Sequence, residues 1–220
     1  MTNTRHGKPR SLDTFVDGGD IRRALTALQR GPISFQRNNV IACEGDAADY
    51  IFLVVDGFVR SCKSFENGTR KVVAFYIPGD LFGWDDEKCT LSVEAATEAM
   101  VLFIKRRGLV SLARRDSRIA NFLLAITRSE LQRAQEHALL LGRTAECRVM
   151  TFLADLSKRM RNTECVDLPM SHSDIADYLG MQIETLSRTL TQLERSGAIV
   201  RASTRRLILK NHSLLTHATD

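Results

Sequence analysis

Residues 168–200 constrain this chain more than any other stretch. Two runs of helical periodicity, over about 171–179 and 183–196, meet at Gly180. In the second run Ile183, Leu186, Leu190 and Leu193 recur at the spacing of one packed helix face. Gln182, Glu184, Thr185, Ser187, Arg188 and Gln192 fall elsewhere on the same helix. Gly197 ends the run, and Ile199-Val-Arg-Ala-Ser-Thr-Arg-Arg-Leu-Ile-Leu-Lys reads as two strands around a basic turn. The expectation is a helix-turn-helix followed by a β-hairpin, a winged helix.

The chain ahead of this segment has a different period. From Ile33 to about Lys105, short runs rich in β-branched and aromatic residues alternate with turns: Ile51-Phe-Leu-Val-Val, Phe58-Val-Arg-Ser-Cys-Lys-Ser-Phe, Lys71-Val-Val-Ala-Phe-Tyr-Ile and Met100-Val-Leu-Phe-Ile-Lys. Glycines 45, 57, 68 and 79 recur every 11 or 12 residues, the strand–turn spacing of a small β-barrel or jelly roll.

Between the two blocks, from about Asp116 to Leu141, runs a helical pattern without Gly or Pro. Ala120, Leu124, Thr127, Leu131, Ala134, Ala138 and Leu141 follow the 4-3 spacing of a coiled-coil seam. Ile119, Phe122, Leu123 and Ile126 supply a second apolar face, so one face suits a twin helix and the other suits the barrel. A further helix is predicted over 145–160. The expected organisation is α+β: a polar, Gly-containing disordered tail at 1–20, a barrel domain at 21–115 opening with a short helix over 21–29, a dimerisation helix at 116–142, and a winged helix at 143–220.

At 220 residues and 44% hydrophobic the chain can form real cores. No apolar run approaches the roughly 20 residues of a membrane span, and the polar, basic start is no secretory signal, so a cytoplasmic protein without a membrane partner is expected. Net charge is +5, and ten of the basic residues lie between Arg143 and Arg206. The five cysteines, at 43, 62, 89, 147 and 165, include no Cys-x-x-Cys pair. That pattern excludes a disulfide framework, a zinc site or an iron–sulfur cluster and suggests mostly buried, apolar thiols. The five histidines are scattered, so no catalytic or metal constellation forms, and an enzyme is not expected.

The polar face of the second motif helix matches DNA chemistry. Arg188 can pair bidentately with guanine, Glu184 can accept from the cytosine amino group, and Ser187 or Thr185 can touch thymine or phosphate. Glu184 and Arg188, four apart, share a face. Arg205 and Arg206 in the wing turn suit phosphates, which position a domain without reading sequence. His172, with Ser171 at the helix start, suits a cap or a backbone contact.

On these residues the chain resembles the Crp/Fnr superfamily of transcription regulators over nearly its whole length. Asp174-Ile-Ala-Asp-Tyr-Leu-Gly followed by Glu184-Thr-Leu-Ser-Arg188 is similar to the Fnr-branch signature, Ala145-Glu-Cys-Arg-Val-Met-Thr-Phe-Leu to the first C-terminal helix, and Gly79-Asp-Leu-Phe-Gly83 to the barrel turn. The resemblance implies a cyclic-nucleotide-binding-like barrel and a homodimer. It also implies base reading of an inverted TTGAT-type repeat by Glu184, Ser187 and Arg188, and activation through RNA polymerase, with the turn Glu66-Asn67-Gly68-Thr69 as candidate contact.

The sensor departs from the family. Cyclic-nucleotide-binding members carry Arg-Ser where this chain has Cys89-Thr90 beside acidic Asp85-Asp86-Glu87, and a buried phosphate there would be unpaired. The N-terminal cysteine cluster of oxygen-sensing members has no counterpart in residues 1–42. No cofactor is expected, and the chain is most similar to the FixK-like branch, which the resemblance places at microaerobic, nitrogen-fixation or denitrification genes. The alternative is a regulator gated by a ligand in the barrel or by oxidation of Cys165, a thiol near basic residues.

Overall fold

The computed structural model describes residues 28–85, 87–160, 165–203 and 205–210. The expected tail at 1–20 lies outside them, as does all but the end of the short helix expected over 21–29, where Gln29 already opens the first strand. The chain divides into two compact units, Met1–Ser129 and Glu130–Asp220.

Among its described residues the first unit holds eight strands: β1 Gln29–Phe35, β2 Val40–Ala42, β3 Tyr50–Asp56, β4 Val59–Ser64, β5 Arg70–Tyr76, β6 Leu81–Phe82, β7 Ser92–Ala95 and β8 Ala99–Lys105. They form two antiparallel four-stranded sheets, in the orders β1-β8-β3-β6 and β2-β7-β4-β5, as expected of a jelly roll. Strand β3 is buried on both faces, which is why it reads as an unbroken apolar run rather than an alternation. Phe52 and Val54 join the cluster that includes Val59, Phe82, Val93 and Val101. Ile51, Leu53 and Val55 pack in a second cluster with Leu109 and Ile119 of the helices that follow. The Asp56-Gly57 turn admits only glycine. Its φ is +76°, and a Cβ there would stand 2.1 Å from the Glu98 carbonyl oxygen.

Helix α1, Arg106–Arg115, follows β8 directly. It is not evident in the sequence because Gly108 interrupts its pattern. That glycine lies under Leu28, whose side chain would come within 2.3 Å of any Cβ. Asp116 then separates α1 from α2, Ser117–Leu140. Of the two apolar faces expected of α2, Ile119, Phe122, Leu123 and Ile126 pack with the barrel cluster, while Leu124 and Leu131 stay 67% and 59% exposed.

The second unit contains α3 (Ala145–Met160), β9 (Cys165–Asp167), α4 (His172–Tyr178), α5 (Ile183–Arg195), β10 (Ile199–Ser203) and β11 (Arg206–Leu209). The hairpin is widened to a three-stranded sheet, β10-β11-β9, by a strand too short to read from sequence. The expectation of mostly buried cysteines needs correction. Cys62 and Cys89 are buried, Cys147 and Cys165 half-buried, and Cys43 exposed in the loop after β2. Among the described residues, no helix is long and apolar enough to cross a membrane.

Candidate nucleic-acid interface

Helix α4 starts at a side-chain cap. Ser171 Oγ accepts from the Asp174 amide at 3.0 Å and donates to the Asp174 carboxylate at 2.7 Å. The hydroxyl is therefore occupied by the helix it begins. His172 follows half-buried in the first turn. Gly180 takes φ +61° in the turn, and a Cβ would sit 3.1 Å from Leu141 Cδ2. The turn is held from outside as well: Arg148 Nη1 donates to the Leu179 and Gly180 carbonyls, each at 3.0 Å.

Helix α5 buries Leu186, Thr189, Leu190 and Leu193. Ile183, expected on that packed face, is 43% exposed and lies at the edge of that face instead. At 100° per residue it stands about 60° off Leu186, and Thr189, about 60° off on the other side, takes the buried edge. Thr189 can do so because its hydroxyl donates to the Thr185 carbonyl at 2.8 Å.

Glu184, Ser187 and Arg188 are exposed together, with Thr185 half-buried beside them. Among the described residues the Glu184 and Arg188 head groups form no ion pair. Arg188 Nε only approaches the Glu184 backbone oxygen at 3.4 Å. Both residues are exposed, and the guanidinium Nη atoms and the carboxylate face solvent. An apolar side chain, Ile183, stands next to them. Sequence periodicity missed this feature, because spacing alone cannot tell the edge of a face from its centre.

Two side-chain ion pairs brace the wing among the described residues. Arg206 donates to Asp167 of β9 at 2.7 and 3.0 Å, a pair that raises the arginine's pKa. Arg201 reaches Glu194 of α5 at 3.5 Å. The Arg205 carbonyl accepts from the Leu168 amide at 2.7 Å, and its side chain is exposed at the wing tip. Of the two wing arginines expected at phosphates, Arg205 is available and Arg206 is already braced. Cys165, the redox candidate, lies half-buried in β9 opposite Ile208.

In the first unit, the turn Glu66-Asn67-Gly68-Thr69 is exposed and preformed. Asn67 Oδ1 accepts from the Thr69 amide and hydroxyl at 3.0 and 2.6 Å, and the Gly68 amide donates to Phe65 O at 2.9 Å. The barrel interior is filled by aromatic rings: Tyr76 stacks on Phe82 at 4.4 Å and Phe52 on Phe82 at 5.1 Å, with Phe103 edge-on to Phe52 at 5.0 Å. Cys89, which the family resemblance sets where cyclic-nucleotide binders carry arginine, is buried. Burial, then the nearby Asp85 and Asp46 carboxylates, pushes its thiol pKa up. These surroundings disfavour the thiolate form of Cys89.

Comparison with known proteins agrees with both halves. Residues 32–116 match the cyclic nucleotide-binding domain, and residues 147–218 match the Crp-like helix-turn-helix domain. The chain is 46% identical over 191 residues to the nitrogen fixation regulation protein FixK of Azorhizobium caulinodans, covering 84% of this chain and 77% of that one. It is 34% identical over 220 residues to the protein of the same name from Rhizobium meliloti, covering 97% and 98%. The solved structure of FixK2 from Bradyrhizobium japonicum matches with a TM-score of 0.80 at 39% identity, covering 85% of this chain and 96% of that chain. Two matched domains in this order, with an exposed polar strip on the second helix of a helix-turn-helix, place the chain in the Crp/Fnr family of transcription regulators.

Proposed function

We propose that this protein is a cytoplasmic, homodimeric activator that binds an inverted TTGAT-type repeat and recruits RNA polymerase. The observation that carries the reading is the exposed strip of α5. Glu184, Ser187 and Arg188 present exposed side-chain donors and acceptors on a helix anchored by Leu186, Leu190 and Leu193. Arg188 suits guanine, Glu184 the cytosine amino group, and Ser187 a neighbouring base. Ile183 suits a thymine methyl group, which would remove its apolar surface from water. His172, Thr185, Arg205 and the cap region at Ser171 position the domain on the phosphates, and Arg206 supports them by bracing the wing.

Dimerisation follows from the bare seam of α2. Residues 116–142 act as the dimer helix, through Leu124, Leu131 and the small residues between them. Two copies on a two-fold axis read half-sites about one helical turn apart. The Glu66–Asn67–Gly68–Thr69 turn is the surface offered to the polymerase. The names of the FixK relatives point to nitrogen-fixation genes as targets, and the family resemblance adds microaerobic or denitrification genes. The aromatic filling of the barrel and the buried Cys89 favour action without a nucleotide effector or other cofactor.

An electrophoretic shift with a TTGAT inverted repeat tests the reading. The untreated protein binds it, and Arg188→Ala lowers affinity by about 1–3 kcal/mol while relaxing the base preference at one position of each half-site. Unchanged affinity in that variant would exclude the strip as the reading surface.

A further inference from the structure

Helix α1 carries arginine at 106, 107, 114 and 115 and no acidic residue. Arg106, Arg107, Val110, Ser111 and Arg114 line an open groove of about 260 Å3. Arg107, Ser111 and Arg114 stand at i, i+4 and i+7, so they share one side of the helix over a rise of about 10 Å. Arg106 is fixed at the rim, where its Nη2 donates to the Gly83 carbonyl at 3.0 Å and its amide to the Asp49 carbonyl at 2.9 Å.

The charges of Arg107 and Arg114 are not neutralised locally. Arg107 and Arg114 are exposed, and among the described residues neither side chain enters an ion pair or hydrogen bond. The acid that follows the helix, Asp116, is engaged by Arg118 through bonds of 2.7 and 3.1 Å. Those bonds hold its carboxyl below the usual range. Uncompensated like charges within one helix oppose its formation. A ligand that brings several negative charges removes that repulsion and gains forked hydrogen bonds from each guanidinium. The groove's openness leaves such a ligand partly hydrated, which favours dense charge over apolar bulk. The rise of about 10 Å between Arg107 and Arg114 exceeds the width of a single phosphate, which favours linked anionic groups.

We propose that this groove binds a small molecule carrying two or more linked phosphates, with Arg107 and Arg114 at its two ends, Ser111 donating between them and Arg106 at the rim. The DNA-reading residues take no part.

Calorimetric titration of the full-length protein with inorganic triphosphate tests this, with orthophosphate as the single-phosphate comparator. Saturable binding of one triphosphate per chain is expected. Arg107→Gln and Arg114→Gln each weaken it by about tenfold or more, the scale of a lost charge-assisted hydrogen bond. Arg115→Gln, outside the groove, and Arg188→Ala, on the reading helix, leave it within about twofold. Thermal melts verify that each variant is folded. The site is overturned if triphosphate does not bind saturably, or if Arg115→Gln or Arg188→Ala weakens binding as much as the groove variants. Orthophosphate binding as tightly as triphosphate would overturn the requirement for linked phosphates.

Discussion

His137 and Tyr178 lie face to face, with ring centroids 4.0 Å apart and planes 3° from parallel. The imidazole Nε2 sits 2.8 Å from the Tyr178 carbonyl oxygen, so the ring that stacks on the side chain also donates to the backbone. With Arg148 on the Leu179 and Gly180 carbonyls, the end of α2 and the start of α3 grip the turn that aims α5. His137→Ala loses a stack and a hydrogen bond, together about 2 kcal/mol. The expected result is a lower thermal midpoint and weaker operator binding. His137→Phe keeps the stack and falls between. If His137→Ala matches the parent in both measurements, the grip contributes nothing to aiming the helix.

The same pair gives a pH signature. Burial, reinforced by the nearby Asp155 carboxylate, pushes the Tyr178 phenol from an ordinary 10.0 up to about 12. Between those values the unfolded chain releases the proton while the folded chain holds it. The stability associated with the neutral phenol is therefore complete below pH 10 and lost as pH rises toward 12, by about 3 kcal/mol. Tyr178→Phe has no proton to lose and shows a shallower alkaline decline in denaturation free energy over that window. Parallel curves for the two proteins would mean the phenol ionises freely in the fold.

Much of this was legible in the chain, and the exceptions have physical causes. Leu186, Leu190 and Leu193 announce the packed face of α5 because burial follows helical period, whereas Ile183 sits at the edge of the arc, where period alone does not decide. Strand β3 is visible as a run because both of its faces are covered. Helix α1 is hidden by Gly108, and β9, at three residues, is too short to carry a pattern. The grip on the reading turn is the least legible feature. His137 meets Tyr178 across 41 residues, and Arg148 meets Leu179 across 31, separations that no local spacing encodes.

The exposed seam of α2 predicts an assembly effect separable from folding. Leu124 and Leu131 are largely uncovered in a single chain, whereas Ile119 is buried in the barrel cluster. Leu124→Glu combined with Leu131→Glu places charges where a twin helix would pack. Sedimentation then shows a monomer that keeps its circular dichroism and loses operator affinity. Ile119→Glu instead buries a charge in the barrel core and prevents folding. A double variant that remains dimeric would exclude this seam as the interface.

The two wing arginines separate by salt dependence. Arg205 is exposed at the tip with no side-chain partner among the described residues, whereas Arg206 is held by both oxygens of Asp167. A phosphate contact releases counter-ions, so losing one lowers the slope of log affinity against log salt by about 1 per half-site. Arg205→Ala therefore weakens all DNA sequences alike and flattens that slope. Arg206→Ala frees Asp167, loosens the β9–β11 brace and shortens amide-exchange protection in the wing, with a smaller change in slope. Titrations at several salt concentrations on operator and random DNA distinguish the two. Equal slopes for Arg205→Ala and the parent would remove Arg205 from the phosphate contacts.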